Sequence, residues 1–530
     1  LLLPPRRARL PEGFESPSPT AVLHSPYSPL SPISPLYPDG LVDTQWIRKH
    51  QDLVPSVLLC FYTLASDPTL TTLCDNQIKT DVNNIRALLS QSGYKTRLAV
   101  VLLSDHVSSA SSADGIQDRL ETIRRGCGLD SKALFLVPSS DSKEELERIA
   151  ENMLTTLYTV SVEYYRDLGR HSRKKRGRGI APQPTVPPTS GTSQTLSLAG
   201  WNVRYDFKSA VFAEYRLEMD VALRSYEQAY ENLLSSELME LIPSWSPRWN
   251  EARFLADVIA VRCLRCLLWN GQHSAAARRW QFHRERIADF VDRRGRGTNN
   301  YGWEAWEARW AVVMADLIDK ADIPELAPAT LRLYLPPEKS VMGERLQPWE
   351  LLHHTGYWYR LAGKHLQARK AFAYAIPEDD RRSPSSSPAS HVAKAAFAYD
   401  TYMCPDPYEE YPLGHAGVNH GQMIFDQLTR ARSEFLKRRQ TRFAAEVSLE
   451  CARELAAVKD WQNIVELLRP VWKELPFRAE GWVAIAEELN WALRTAAAEV
   501  GDAELVLLAD WELLSRGMSS FQLSGLPEPY

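Results

Sequence analysis

A change of hydrophobic period partway along the chain limits its fold more than any other feature. Before residue 169, short unbroken apolar runs alternate with stripes of helical period. After Trp201 only helical stripes occur. The runs Val57-Leu-Leu-Cys-Phe-Tyr62, Arg97-Leu-Ala-Val-Val-Leu-Leu103 and Ala133-Leu-Phe-Leu-Val137 have the length and continuity of strands buried on both faces. Between them, Ile78, Val82, Ile85, Leu88 and Leu89 fall on one helical face. A second helix, capped by Asp114, carries Ile116, Leu120 and Ile123. Ser142-Lys-Glu-Glu145 reads as a capping box, in which hydroxyl and carboxylate each satisfy an orphan N–H. The helix it opens carries Leu146, Ile149, Met153, Leu157, Val160 and Tyr164. Strand–helix alternation with right-handed crossovers predicts a small parallel α/β sheet domain over residues 41–168.

Residues 200–520 predict an irregular α-solenoid of helical hairpins, similar to tetratricopeptide (TPR) repeats. Phe207, Val211, Tyr215, Met219, Ala222, Tyr226, Tyr230 and Leu233 step by three or four, as do Trp303, Trp306, Trp310, Met314 and Leu317. A faint unit recurs: a turn, a helix start, a small residue where helices approach, then a bulky residue four positions on. Ala222 with Tyr226, Ala276 with Trp280 and Ala368 with Phe372 fit it, and Ile464 with Leu468 is a weaker copy. These anchors lie 54, 92 and 96 residues apart, so no regular repeat of about 34 residues is present.

Two stretches interrupt the pattern. Residues 1–40 hold ten of the 34 prolines and six Ser-Pro dipeptides between Ser16 and Pro35. Proline removes a donor and pushes its neighbour into extended conformations, so a disordered or loosely draped segment is expected. It is a spacer, a target of proline-directed kinases or a polyproline ligand. Residues 169–199, with the basic run Arg173-Lys-Lys-Arg-Gly-Arg178 and a Pro/Ser/Thr-rich continuation, predict a flexible loop between packed units. A second such insertion runs from Tyr374 to Ala389.

Composition excludes several classes. At 530 residues and net charge −4, with 44% apolar residues, the chain is neither disordered as a whole nor a strongly basic nucleic-acid binder. No run of about 18 residues is both strongly apolar and free of charge, so no membrane span is expected. Seven irregularly spaced cysteines read as reduced thiols, not a disulfide framework. A start at Leu1 reads as a fragment.

No assembled chemistry is visible: no catalytic, cofactor-binding or metal-ligating residue is assigned, and no cofactor is expected. Cys263-Leu-Arg-Cys266 lacks the second pair that structural zinc needs, and it sits in an apolar helical run. His353-His354 and His415/His420 lack a His-Glu-x-x-His frame. Ligands of a parallel sheet bind at the carboxyl ends of its strands. Those ends read Leu64-Ala-Ser-Asp67, Ser104-Asp105-His106 and Pro138-Ser-Ser-Asp141. The loop after the first run has no glycine before Gly93, and neither a Walker lysine motif nor Gly-x-Gly-x-x-Gly occurs, so no phosphate cradle forms there. The basic run lacks interleaved aromatics for base stacking.

One segment resembles a known family. Gly40-Leu-Val-Asp-Thr-Gln-Trp46-Ile-Arg-Lys49-His50-Gln-Asp-Leu53-Val54-Pro55-Ser-Val57 is similar to the entry of the foie gras homology region, found in subunit eleven of the trafficking protein particle (TRAPP) complex. Phe207-Lys-Ser-Ala-Val-Phe212-Ala-Glu214-Tyr, with Ala222, Tyr226, Ala229 and Tyr230, resembles the start of the same family's helical domain. The resemblance spans roughly residues 40 to 515, without the family's carboxyl-terminal β-sandwich. It implies a non-enzymatic scaffold in endoplasmic reticulum-to-Golgi transport and autophagy. Its implied partners are other TRAPP subunits and, indirectly, a Rab GTPase. It also implies a cytoplasmic location, peripheral at Golgi and ER–Golgi membranes through partners, and no nucleic acid. The rival readings are a nucleotide-dependent α/β enzyme with a helical extension and an RNA-associated helical-repeat protein.

Overall fold

The structure is a computed structural model. It describes residues 3–4, 24–65, 69–104, 113–139, 142–179, 181, 196–242, 247–293, 297–338, 346–375, 419–474 and 481–515. The chain forms two compact units, Leu1–Cys266 and Leu267–Tyr530.

In the first unit, α1 (Thr44–Arg48) and a π-helical turn (Lys49–Leu53) lead into β1 (Val57–Leu64). Then follow α2 (Thr71–Ser92), β2 (Arg97–Ser104), α3 (Ala113–Gly126), β3 (Leu134–Pro138) and α4 (Lys143–Arg176). The sheet is parallel in the order β1-β2-β3, with Val57 opposite Arg97 and Val100 opposite Leu134. This is the expected small α/β unit. Side chains alternate along a strand, and Leu64, Val100 and Leu102 pack with Ile78, Val82 and Ile123 from α2 and α3. Helix α4 packs against all three strands.

The expected double burial holds only for β2, whose Ala99 to Leu102 are 0–2% exposed. Phe61 on β1 is 58% exposed and Leu103 is 39% exposed. A three-stranded sheet has a single central strand, so β1 and β3 are edges. Asp114 lies inside the first turn of α3 and is not its cap. Ser142 does cap α4: its Oγ accepts from Glu145 N at 3.4 Å.

Helix α4 corrects the expected loop at 169–199. It runs for 34 residues to Arg176, with the basic residues Arg173 to Arg176 in its last turn, where cations suit the helix dipole. Its far half packs on α5 (Leu198–Glu214). Tyr165 stacks on Phe212, Arg216 Nη1 donates to Tyr165 O at 3.3 Å, and Trp201 Nε1 donates to Lys175 O at 3.1 Å. The sheet and the first helices therefore belong to one compact unit, and the boundary between compact units falls at residues 266 and 267. Residues 182–195 lie outside the described residues.

The Ser-Pro segment is also corrected over residues 24–40. Four Ser-Pro-x triplets from Ser25 to Leu36 form successive turns: Ser28, Ser31 and Ser34 N–H donate to the carbonyls of Ser25, Ser28 and Ser31 at 2.9 Å. Each proline occupies the position after serine, where a turn asks for no N–H donor. The spacing of three puts the serines on one side, and Ser28, Ser31 and Ser34 are 6%, 0% and 8% exposed. Proline density excluded a helix; it did not exclude a ladder of turns. Residues 5–23 lie outside the described residues.

The stripe from Phe207 to Leu233 is split into α5 and α6 (Met219–Leu233) by Leu217, at φ 59°. α7 (Pro247–Trp269) carries the chain into the second unit. That unit contains α8 (His273–Arg293), α9 (Tyr301–Ala321), α10 (Thr355–Ala375), α11 (His420–Lys437), α12 (Thr441–Ala457), α13 (Trp461–Glu474), α14 (Val483–Val500) and α15 (Ala503–Ser515). From α9 to α15 each helix packs on its chain neighbours, the solenoid logic.

Tryptophans lock the start of this unit. Trp280 on α8 and Trp310 on α9 stack with ring centroids 6.1 Å apart, and each indole N–H donates to the other residue's carbonyl. Trp306 extends the stack on Trp310, and Trp358 meets the Trp280 ring edge-on. Of the repeat anchors, Ala222, Ala276 and Ile464 are buried as expected. Ala368 is only half-buried. Gly363 begins no turn either; it lies within α10, where an added Cβ would sit 2.7 Å from Leu428 Cδ2 of α11. Gly363 is therefore the close-approach residue of that helix pair.

Candidate functional site: consumed charges and an outward apolar ridge

The sheet's carboxyl end is the first place to look for chemistry. Asp67, Asp105, His106 and Asp141 lie outside the described residues. Just past the end of β1, Arg119 of α3 forms a fork with Asp75 of α2, with two bonds of 2.7 Å, and also donates to Ala65 O at 2.8 Å. The guanidinium thus ties the end of β1 to both covering helices. The N-cap of α2 is Leu70, without a side-chain cap bond.

Cys263 and Cys266 are fully buried on α7. Burial, reinforced by Glu214, pushes the Cys266 thiol up to about 12. Beside them lies a charged knot that sequence patterning does not show. Glu214, 5% exposed at its side chain, accepts from Arg262 Nη1 at 2.6 Å and from Tyr226 OH at 2.6 Å. Arg265 reaches its other oxygen at 3.1 Å. The knot pins α5, α6 and α7 together.

The histidines are packing groups. His353 Nε2 lies 2.9 Å from Pro348 O, and its ring stacks on Tyr357. His354, 1% exposed, accepts from Gly356 N at 3.1 Å and meets the Phe435 ring edge-on. Burial, then Arg438, lowers its pKa to about 3. His415 lies outside the described residues, and His420 is 4% exposed at the start of α11. In α9, Glu307 is fully buried against Arg284 at 2.6 Å, and Glu304 meets His365 Nδ1 at 2.7 Å. Among the described residues no group of three or more His, Cys, Asp or Glu could hold a metal ion. Among them, too, no helix is long and apolar enough to cross a membrane.

What faces outward differs. On α15, Leu505, Ala509 and Leu513 are buried within the unit. On the opposite side, Leu507, Trp511 and Leu514 are 70%, 74% and 69% exposed. Their spacing of four and three makes one ridge along the helix. A helix apolar on both sides is one built to be covered on both sides. The signal was legible in Ala503-Glu-Leu-Val-Leu-Leu-Ala-Asp-Trp-Glu-Leu-Leu514, which is more apolar than a one-faced helix requires, but an apolar pattern does not say which side stays bare.

Comparison with known proteins supplies the context. The family profile described as Foie gras liver health family 1 matches residues 248–516, and that of the trafficking protein particle complex subunit 11 N-terminal domain matches residues 1–146. The Phe207–Tyr230 segment falls between the two. Curated proteins named trafficking protein particle complex subunit 11 align over 465 residues, 84% of this chain and 36% of theirs. Those of Gallus gallus and Bos taurus are 24% identical and that of Homo sapiens 23%. The chain thus spans about a third of the length of these relatives. A circular tandem repeat protein with novel repeat topology aligns over 85% of this chain and 91% of its own, at 11% identity and a TM-score of 0.28, too low to establish a shared fold. With its helical half matched from α7 through α15 and its sheet unit matched by a second profile, the chain belongs to the Foie gras liver health family 1.

Proposed function

We propose that the chain is a non-enzymatic scaffold subunit of a TRAPP-type tethering complex, acting in ER-to-Golgi transport and autophagy. The observation that carries this reading is the contrast between its interior and its surface. Among the described residues, Arg119 with Asp75, the Glu214 knot and Glu307 with Arg284 are charges committed to one another, while α15 leaves a continuous apolar ridge in solvent. Exposed apolar ridges on helical arrays are surfaces for protein partners. Similarity to trafficking protein particle complex subunit 11 supplies the partner class: other TRAPP subunits. A Rab GTPase is engaged by the assembled complex and only indirectly by this chain. Its place is then the cytoplasmic side of Golgi and ER–Golgi membranes, reached through partners.

The test is affinity purification of the tagged chain from cytosol, with partners identified by mass. Recovery of TRAPP subunits in fixed ratio supports the proposal. Recovery of the chain without them, under conditions that preserve the endogenous complex, contradicts it.

A further inference from the structure

Helix α4 carries a row of cations along the face it turns away from α5. Arg166, Arg170, Arg173 and Lys174 recur at spacings of three and four, which puts them on one side of the helix. Arg178 follows in the closing turn, where its N–H donates to Lys175 O at 3.2 Å. All five are exposed, while Tyr164, Gly169 and Ser172 on the opposite side are buried. At 1.5 Å per residue the row is about 18 Å long.

The acids around the row are mostly engaged. Asp167 is shared between Arg170 at 3.1 Å and Arg97 of β2 at 3.4 Å. Asp206 pairs with Arg176 at 2.5 Å and Glu218 with Arg216 at 2.6 Å. Glu163, also exposed, ends the row one turn before Arg166. Among the described residues the side chains of Arg166, Arg173, Lys174 and Arg178 make no hydrogen bond or ion pair, and Arg166 and Arg173 feel Glu218 only at longer range. The helix dipole accounts for cations in the last turn, from Arg173 onward, but it fades within that turn and does not reach Arg166 and Arg170. Like charges at these spacings weaken a helix. The row therefore works against the helix that holds it, and an anion laid along it would relieve that repulsion.

The surroundings narrow what that anion is. Among the described residues between Tyr158 and Leu198, no large apolar side chain is strongly exposed. The row thus has neither a groove for the anchors of a peptide nor an aromatic face on which a base could stack. A straight, convex line of guanidinium and ammonium groups matches a flat anionic surface that needs no register. We propose that this face of α4 lies against an anionic lipid surface, with Arg166, Arg170, Arg173, Lys174 and Arg178 over acidic headgroups. The cytoplasmic leaflet supplies such a surface. The contact is weak and salt-sensitive, and it orients a chain that partners bring to the membrane. It rests on the proposed function for that setting alone.

Cosedimentation of the full chain with vesicles tests the contact without any partner. Vesicles of phosphatidylcholine and phosphatidylserine in equal parts should retain the chain at low salt, and vesicles of phosphatidylcholine alone should not. Raising salt from about 0.1 to about 1 M shortens the screening length from about 10 to about 3 Å and should release it. Each cation near an anionic surface is worth roughly a fivefold gain in partitioning, so Arg166→Gln/Arg173→Gln/Lys174→Gln should lower it on the order of a hundredfold. These side chains are in solvent, so the thermal midpoint should not fall. Arg125→Gln/Lys143→Gln/Arg148→Gln has the same net charge, with its exposed changes away from the row, and should keep most of the binding. No binding to the anionic vesicles, full binding by the row variant, or equal loss in the two triple variants overturns the proposal. So does tighter binding of single-stranded RNA than of the vesicles through the same three side chains, which would make the row a nucleic-acid surface. A chain that enters a TRAPP complex but fails on vesicles loses this inference alone. One that binds vesicles through the row but recovers no TRAPP subunits upholds it and removes the scaffold reading.

Discussion

Replacing Arg262 with methionine isolates the Glu214 knot. Both partners are 5–6% exposed, so the substitution leaves a carboxylate in the core with the Tyr226 hydroxyl at 2.6 Å and Arg265, itself half exposed, at 3.1 Å. Removing one member of a buried pair costs roughly 3–5 kcal/mol. Arg265 retains part of the compensation, which places the loss near the lower end, about 3 kcal/mol. For a unit of this size, about 2–4 °C accompanies each kcal/mol, so the first unit should melt roughly 6–12 °C lower. The double variant Glu214→Leu/Arg262→Met removes both charges and leaves mainly the Tyr226 hydroxyl without its acceptor, a cost of about 1–3 kcal/mol. It should therefore be more stable than Arg262→Met alone. Chemical denaturation followed by circular dichroism, at a single protein concentration, measures both. A single variant within about 1 kcal/mol of the natural chain, or a double variant worse than the single, would refute the reasoning.

Three further outcomes are expected. Ala222→Arg, at a position with no exposure, should cost about 3 kcal/mol or more, while Ala368→Arg on half-buried α10 should cost under about 1 kcal/mol; melting curves of the two separate a true helix contact from a merely patterned one. His354, lowered to about 3, binds its proton in the unfolded chain below pH 6.5 but not in the folded one. Stability should therefore fall as pH drops from 6.5 towards 3, by up to about 1.4 kcal/mol per pH unit; His354→Asn, which keeps an acceptor for Gly356 N, should flatten that slope in urea titrations. Titration with ATP or GTP and magnesium should give no heat and no thermal shift, and saturable stabilisation at millimolar nucleotide would favour the enzyme reading instead.

The strands were legible because each run of five to seven residues is bounded by polar residues or proline, and their positions in the structure differ from the runs by at most two residues at either end. Edge exposure at Phe61 was not legible, since pairing order is a tertiary fact and an apolar run says nothing about which strand ends up central. Proline counting misread residues 24–40: the triplet spacing that puts Ser28, Ser31 and Ser34 on one side was in the sequence, but their burial depends on Arg204, 176 positions away from Ser28. The basic run at Arg173 to Arg176 looks like loop in the sequence because its charge density resembles linker composition. In fact it completes a helix whose apolar face, through Leu157 and Tyr164, is already committed. The Glu214 knot had no local signature at all, as its members come from three helices.

The most direct test of the central claim is the fraction of this chain that enters an assembled TRAPP complex when its outward ridge is changed. Trp511→Asp and Leu507→Asp alter side chains already in solvent, so the thermal midpoint should move little. The account predicts that natural-sequence chain co-elutes with TRAPP subunits at fixed stoichiometry and that the ridge variants lose this co-elution while remaining folded. Ridge variants that incorporate as fully as the natural sequence would contradict α15 as the docking surface, and a natural chain that never co-elutes would contradict the scaffold role itself.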